Sequence, residues 1–370
     1  MKVKLTDICR PKQWKIISMN QLLNDGYPVY GANGKIGYYS EHNHEKPVLL
    51  IGCRGSCGSL HITEPFSYAN GNAMALDDLD DSKYLLKYLY YFFSNRGFVD
   101  VISGSSQPQI TRTGLERVVL PVVPLKKQKQ IVQILDTANN LRQKREEQLA
   151  LLDDYLKSVF IEIFGDPIFN YKKWPLVELN SIIENIDSGW SPVCVDNHRE
   201  SQDVPVVLKL GAVTYCVFNQ LKYKIIPKDV DIKKRVEVQS KDLLFTRKNT
   251  KDLVGASVYV FKCERNLLLP DTIFRLNYKN TLVNGIYLWK LFTEKGFRKV
   301  IQNLATGSAG SMPNISKEKL KKLRMPLPSL NIQNKFASIV EQAQQIKQKM
   351  RASLDEMDNH FNALMQRYFE

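Results

Sequence analysis

Positive charge and hydrogen-bonding side chains coincide at two places in the sequence. Between residues 222 and 251, ten Lys or Arg face four acids, and Tyr215, Tyr223 and Phe245 lie in or beside the cluster. Such a mixture suits phosphate contact with readout of base edges alongside it, and Lys222, Lys224, Arg247 and Lys248 are its candidate contacts. The second place is the polar loop Thr306-Gly-Ser-Ala-Gly-Ser-Met-Pro-Asn314, followed by Lys317, Lys319, Lys321, Lys322 and Arg324. A similar loop, Ser103-Gly-Ser-Ser-Gln-Pro-Gln109, stands before Arg112. Small hydroxyls approach phosphates closely, which marks Ser105, Ser106, Ser308 and Ser311, whereas carboxamides pair with base edges, which marks Gln107, Gln109 and Asn314. Lys317 and Arg112 add charge to the same two regions. A solvated strand face explains any single lysine equally well, and the loops also read as ordinary connectors.

No comparable set of residues supports catalysis. Methyl transfer to an exocyclic amine calls for a glycine-rich cofactor loop and an Asn/Asp-Pro-Pro-aromatic motif; the nearest stretch, Asp166-Pro-Ile-Phe169, has one proline and sits at a helix end. No Gly-x4-Gly-Lys-Ser/Thr phosphate loop occurs, so an ATP-driven motor is not encoded. Gly52-Cys-Arg-Gly55-Ser-Cys-Gly58 follows the apolar Val48-Leu-Leu-Ile51, but its glycine spacing is wrong for a dinucleotide fingerprint. It reads as a tight turn displaying Arg54. The acids of Asp77-Asp-Leu-Asp-Asp81 read as a solvated loop or helix start, and Asp242 and Asp271 join no nuclease-type carboxylate set. Cys53 and Cys57 are the close pair among six cysteines, and His42, His44 and His61 complete no finger or ribbon spacing with them. Neither a catalytic residue nor a metal site is expected.

Composition fits this picture. The 370 residues carry a net charge of +14, which favours a polyanionic partner, nucleic acid or an anionic membrane surface. No apolar run approaches the roughly 20 residues needed to span a bilayer, and Met1-Lys-Val-Lys-Leu-Thr-Asp7 lacks the apolar stretch of a signal peptide. The scattered cysteines read as reduced thiols. A cytoplasmic protein without membrane attachment is expected, and its length implies two domains.

The elements that must hold the basic loops in place emerge from an internal repeat. Residues 108–165 overlay 313–370 at a constant offset of 205 with no gap and thirteen identities, among them Pro108 with Pro313, Gln128 with Gln333 and Phe164 with Phe369. Each copy reads as a Ser/Gly loop, a short strand ending at proline, and a long helix. In the first helix Ile131, Ile134, Ala138 and Leu141 step by three and four, and the stripe resumes through Leu149, Leu152, Leu156, Val159 and Ile163. Phe336, Ile339, Ala343, Ile346, Met350, Leu354, Met357, Phe361 and Leu364 do the same in the second. With no Gly or Pro from 126 to 164 or from 331 to 370, each helix extends to roughly 58 Å and needs a long partner. Pairing side by side as a coiled coil is the simplest solution; packing of each helix on its own domain alone, or pairing between molecules, is the alternative. The preceding segments are mixed α/β or α+β globules that begin alike, at Val3-Lys-Leu5 and Val177-Glu-Leu179, and share little else.

Several stretches resemble the specificity subunits of type I restriction-modification enzymes. Ile102-Ser-Gly-Ser-Ser-Gln-Pro-Gln-Ile110 with Leu120-Pro-Val-Val-Pro-Leu-Lys-Lys-Gln-Lys-Gln-Ile131 is similar to the family's passage from recognition domain to conserved helix, and Met325-Pro-Leu-Pro-Ser-Leu-Asn-Ile-Gln-Asn-Lys-Phe336 repeats it. Phe164-Gly-Asp-Pro167 resembles the usual exit from the first helix, and Tyr30-Gly-Ala-Asn-Gly-Lys-Ile-Gly-Tyr38, which holds Lys35, a loop of one class of recognition domain. Asp187-Ser-Gly-Trp-Ser-Pro192 resembles another family loop, with Trp190 in place of a usual small residue. The resemblance implies an α+β chain: target-recognition domains at 1–122 and 166–328, and conserved helices at 123–165 and 329–370 pairing as an antiparallel coiled coil with pseudo-twofold symmetry. It also implies that each domain reads half of a bipartite double-stranded DNA site, that the helices set their separation, and that the chain itself carries no cofactor. Methyltransferase (modification) subunits and a restriction/translocase subunit are the implied partners, with S-adenosylmethionine, ATP and Mg on those partners. A helical scaffold with incidental charge is the competing reading.

Overall fold

Apolar runs of four residues bounded by turns, such as Leu49–Gly52 and Leu243–Thr246, are buried on both faces and therefore form central strands. The computed structural model describes residues 2–104, 107–232, 235–307 and 312–369. Two compact units result, Met1–Glu147 with Met350–Glu370, and Gln148–Lys349. Each long helix contributes to both: Leu125–Phe164 and Leu330–Phe369 run 40 residues apiece. The split falls inside the helices, so the contact units do not follow the sequence boundaries at 122 and 328.

In the first unit, Lys2–Lys4 pairs antiparallel with Val119–Pro121. A four-stranded sheet has the order Arg10–Gln13, Ala73–Asp77, Leu49–Gly52, Leu60–Ile62. A three-stranded sheet has the order Gly34–Tyr39, Tyr27–Gly31, Tyr68–Ala69, its last pair parallel. The Tyr30–Tyr38 motif is thus mostly strand, a hairpin turning at Ala32 and Asn33. Helix Leu86–Arg96 supplies Tyr88, Leu89 and Phe93 to a core shared with Leu49, Ile51, Met74, Ile131, Leu135 and Met365.

The second unit repeats this order, a correction to the expectation of globules with little in common beyond their starts. Leu176–Glu178 pairs with Arg324–Pro326. The four-stranded sheet runs Ile183–Ser188, Ile273–Tyr278, Leu243–Thr246, Ser257–Tyr259, and the three-stranded sheet runs Tyr223–Ile225, Val206–Leu208, Leu267–Leu268, again with a parallel last pair. Helix Gly285–Thr293 takes the place of Leu86–Arg96, capped by the Asn284 carboxamide on the Ile286 amide. Strands this short leave almost no periodic signal, and their pairing is non-local, so divergence of the sequences hides a common topology.

Matching bonds tie the repeat into both units. The Leu5 amide donates to Val118 O, and the Leu179 amide to Leu323 O. Gln128, fully buried, accepts from the Leu85 amide and donates to Lys83 O and Val123 O at 2.7 Å each. Gln333, its counterpart and equally buried, accepts from the Asn284 amide at 2.8 Å and donates to Pro328 O at 2.7 Å. Both glutamines therefore satisfy the amide just before the globule's helix, where no intrahelical acceptor exists.

The long helices run antiparallel in each unit. In the first, Arg142 pairs with Asp358 and its guanidinium lies 4.6 Å over the Phe361 ring. In the second, Asp153 pairs with Lys347, and Phe164 meets Phe336 with ring centroids 5.2 Å apart. Under the 205-residue offset Arg142 corresponds to Lys347 and Asp153 to Asp358, so the two ion pairs are one interaction repeated. The expected stripe differs in detail. Ile134, Leu141 and Ile346 are 41%, 52% and 50% exposed, while Leu135, Phe160, Val340 and Met365 are buried. Each helix packs on its own globule and on the other helix at once, so two faces are used and the stripe drifts between them. Ile134, Ala138 and Leu141 instead line an open groove of about 650 Å³ with His360, Leu364 and Tyr368.

Candidate nucleic-acid interface

The basic loops are seated by the ends of the central strands. After Leu243–Thr246, the Arg247 amide donates to Thr272 O at 3.0 Å, and Arg247 O accepts from the Ile315 amide at 2.8 Å. Lys248 then forms an antiparallel bridge with Asn314, which is also bridged to Thr306. The Arg247 Nε donates to Asn314 Oδ1 at 3.1 Å, and the guanidinium lies 5.3 Å over the Phe274 ring. Lys317 lies over the same ring at 5.5 Å, with its ammonium donating to Ile186 O. Arg247 and Lys317 thus share the Phe274 ring, and Asn314 joins Arg247 and Lys248 beside it. Asn249, buried one residue on, donates to Thr214 Oγ1 and brings Tyr215, 75% exposed, to the same edge. Asn249 and Phe274 carry no charge, and no local pattern in the sequence marks them as part of this arrangement.

The first unit has the same construction. The Cys53 amide donates to Asn72 O, Cys53 O accepts from the Ile110 amide at 3.0 Å, and Arg54 bridges Gln109. The turn after Gly52 folds back so tightly that a side chain at Gly52 would collide with Ser56 O and Ser59 Oγ. Its Cys57 thiol donates to Pro108 O at 2.9 Å, fastening the turn to the polar loop. Burial pushes the Cys53 thiol up to about 12, away from the thiolate a metal requires. Among the described residues no three His, Cys, Asp or Glu are grouped as metal ligands. Arg54 and Gln107 are exposed and Gln109 is half-buried.

The other candidates have different partners. Lys35, on the three-stranded sheet, pairs with Glu64 at 3.3 Å and lies over Tyr38. Arg112 is exposed and 3.7 Å from Glu116. Lys222 is exposed beside the strand Tyr223–Ile225, where Lys224 and Lys209 share Asp196; the Lys209 ammonium holds that carboxyl below its ordinary range. Ser105, Ser106, Ser308 and Ser311 lie outside the described residues. Asp77, read from sequence as solvated, is buried and accepts from His44 Nε2 at 2.9 Å, because it closes a central strand rather than opening a loop.

Residues 1–151 match the family described as the type I restriction modification DNA specificity domain. The chain is similar to the type I restriction-modification specificity subunits. Over 341 residues it is 22% identical to a putative type I restriction enzyme specificity subunit of Haemophilus influenzae, covering 88% of this chain and 82% of that one. It is 28% identical over 181 residues to the EcoEI specificity subunit of Escherichia coli, a match that covers 49% of this chain and 30% of the relative's length. Its fold is that of the type I S subunit from M. genitalium, with TM-score 0.65 at 13% identity, covering 100% of this chain and 96% of that chain. A second solved chain, from work on assembly and conformational transition of the type I system, gives TM-score 0.54 at 15% identity, with 100% and 97% covered. Among the described residues, no helix of the chain is long and apolar enough to cross a membrane.

Proposed function

We propose that this specificity subunit reads a two-part site in double-stranded DNA, one half with each unit, and directs methyltransferase and restriction/translocase subunits to it. One observation carries the reading: the same strand end, with a cation bridged to a carboxamide, recurs in two units of common fold and diverged sequence. Diverged readers on a repeated frame suit an asymmetric site. The charge of +14 supplies the sequence-independent attraction to phosphates. Methyl transfer and cleavage, with S-adenosylmethionine, ATP and Mg, belong to the partners, and the assembly works in the cytoplasm. Within it this chain serves as a non-catalytic address.

Replacing residues 1–122 with the first domain of another specificity subunit tests the division of labour. The methylated motif should change in one half and stay the same in the other; a change in both halves contradicts one-half-per-unit reading. A scaffold without DNA reading would leave the whole motif untouched.

A further inference from the structure

We propose that Arg54 and Lys248 occupy one position in the two copies of the fold, that each reads a guanine in its own half-site, and that Gln109 and Asn314 set the neighbouring base. The inference rests on the DNA reading proposed above and assigns the residues that fix the sequence read.

Backbone bonds establish the equivalence. Gly52 is opposite Ala73 and Thr246 opposite Ile273, so the central strands end in register with the same neighbour. Their next residues, Cys53 and Arg247, donate to Asn72 O and Thr272 O and accept from Ile110 and Ile315. Ile110 and Ile315 are themselves repeat partners, as are Gln109 and Asn314. Arg54 and Lys248 then form the same antiparallel bridge to those two amide residues. This correspondence lies outside the gap-free repeat of the sequence, because residues 54 and 248 differ by 194 rather than 205.

Among the described residues, neither the Arg54 guanidinium nor the Lys248 ammonium has an ion-pair or hydrogen-bond partner, whereas Lys35, Arg112, Lys224 and Lys317 are each held by a carboxylate or carbonyl. Both groups are donor-only, and guanine alone presents two acceptors, O6 and N7, side by side in the major groove. The amide beside each cation argues for base edges over phosphate, since an uncharged carboxamide gains nothing from counterion release. Its state differs between the units. Arg247 Nε has only a proton to offer, so Asn314 must turn its oxygen toward it and present its amide nitrogen outward. Lys248 and Asn314 therefore offer donors only, which fits guanine next to another acceptor edge. Gln109 keeps both donor and acceptor and matches the N6 and N7 of adenine. Arg247 acts here as a positioning residue.

The test uses the subunit purified with its methyltransferase partners, a DNA library with randomised half-sites, and sequencing of the methylated molecules. Wild type should give a two-part motif with a G·C pair in each half. Arg54→Ala should lose the preference for one G·C pair, by about tenfold or more, in one half only; Lys248→Ala should do so in the other half. Arg54→Gln should move that same pair toward A·T. All three variants should keep the wild-type unfolding temperature. An unchanged motif with methylation lowered evenly across all sequences makes these residues phosphate contacts and overturns the proposal, as does broadening of both halves by one substitution. A wild-type complex that methylates without a two-part motif refutes the DNA-reading function itself.

Discussion

Replacing Gln128 by Met should destabilise the first unit by about 3 kcal/mol, and Gln333→Met should do nearly the same to the second. The side chains are fully buried, and methionine keeps the length while removing every polar atom. At position 128 this strands the Leu85 amide and strips a donor from Lys83 O and Val123 O. A buried unsatisfied amide costs about 1–3 kcal/mol, each lost hydrogen bond about 1 kcal/mol, and the extra apolar burial of methionine offsets part of the sum. At about 2–4 °C per kcal/mol for units of this size, one calorimetric transition should fall by roughly 6–12 °C. The other transition should stay in place, because the two glutamines have separate partners. Gln128→Glu should cost more than Met, since a carboxylate cannot donate to the two carbonyls and buries a charge. A loss below about 1 kcal/mol, or Glu tolerated better than Met, would refute the role given to this buried side chain.

Inserting one heptad in both long helices, between Glu147 and Gln148 and between Lys349 and Met350, retains the Arg142–Asp358 and Asp153–Lys347 pairs and should lengthen each helix by about 10 Å. The gap between methylated half-sites should then grow by about three base pairs, read from a library of varied spacing, while insertion in one helix alone should unfold part of the pair. The purified chain without partners should transfer no labelled methyl group to DNA, and methylation should appear when the cognate methyltransferase is added. Burial lowers Lys290 to about 8. Between that value and the ordinary lysine range the unfolded chain binds the extra proton, so wild type should gain stability relative to Lys290→Met as pH rises from 8 to 10 in urea titrations.

The long helices and the internal repeat were legible because local rules suffice for them: a gap-free offset, no Gly or Pro, and apolar spacing of three and four. Gln128 and Gln333 showed as identities of the repeat, but their capping role depends on Leu85 and Asn284, more than forty residues away. The grouping of Arg247, Lys248, Asn314 and Lys317 was partly legible as basic loops, while Phe274, the ring beneath Arg247 and Lys317, reads in sequence as one more strand residue. The common topology of the units was not legible, since two- and three-residue strands such as Tyr68–Ala69 and Val206–Leu208 are specified by non-local pairing. The burial of Asp77 was hidden for the same reason: its partner His44 lies in an isolated bridge with Ser67, far away in sequence.

The proposed function makes this chain the DNA address of a methyltransferase. Methylome sequencing of cells expressing the subunit with its native methyltransferase tests it most directly. One asymmetric, two-part motif with a constant gap should be methylated, and should vanish when the subunit is omitted. Methylation at the same sites without the subunit, or at sites sharing no two-part motif, would contradict that role.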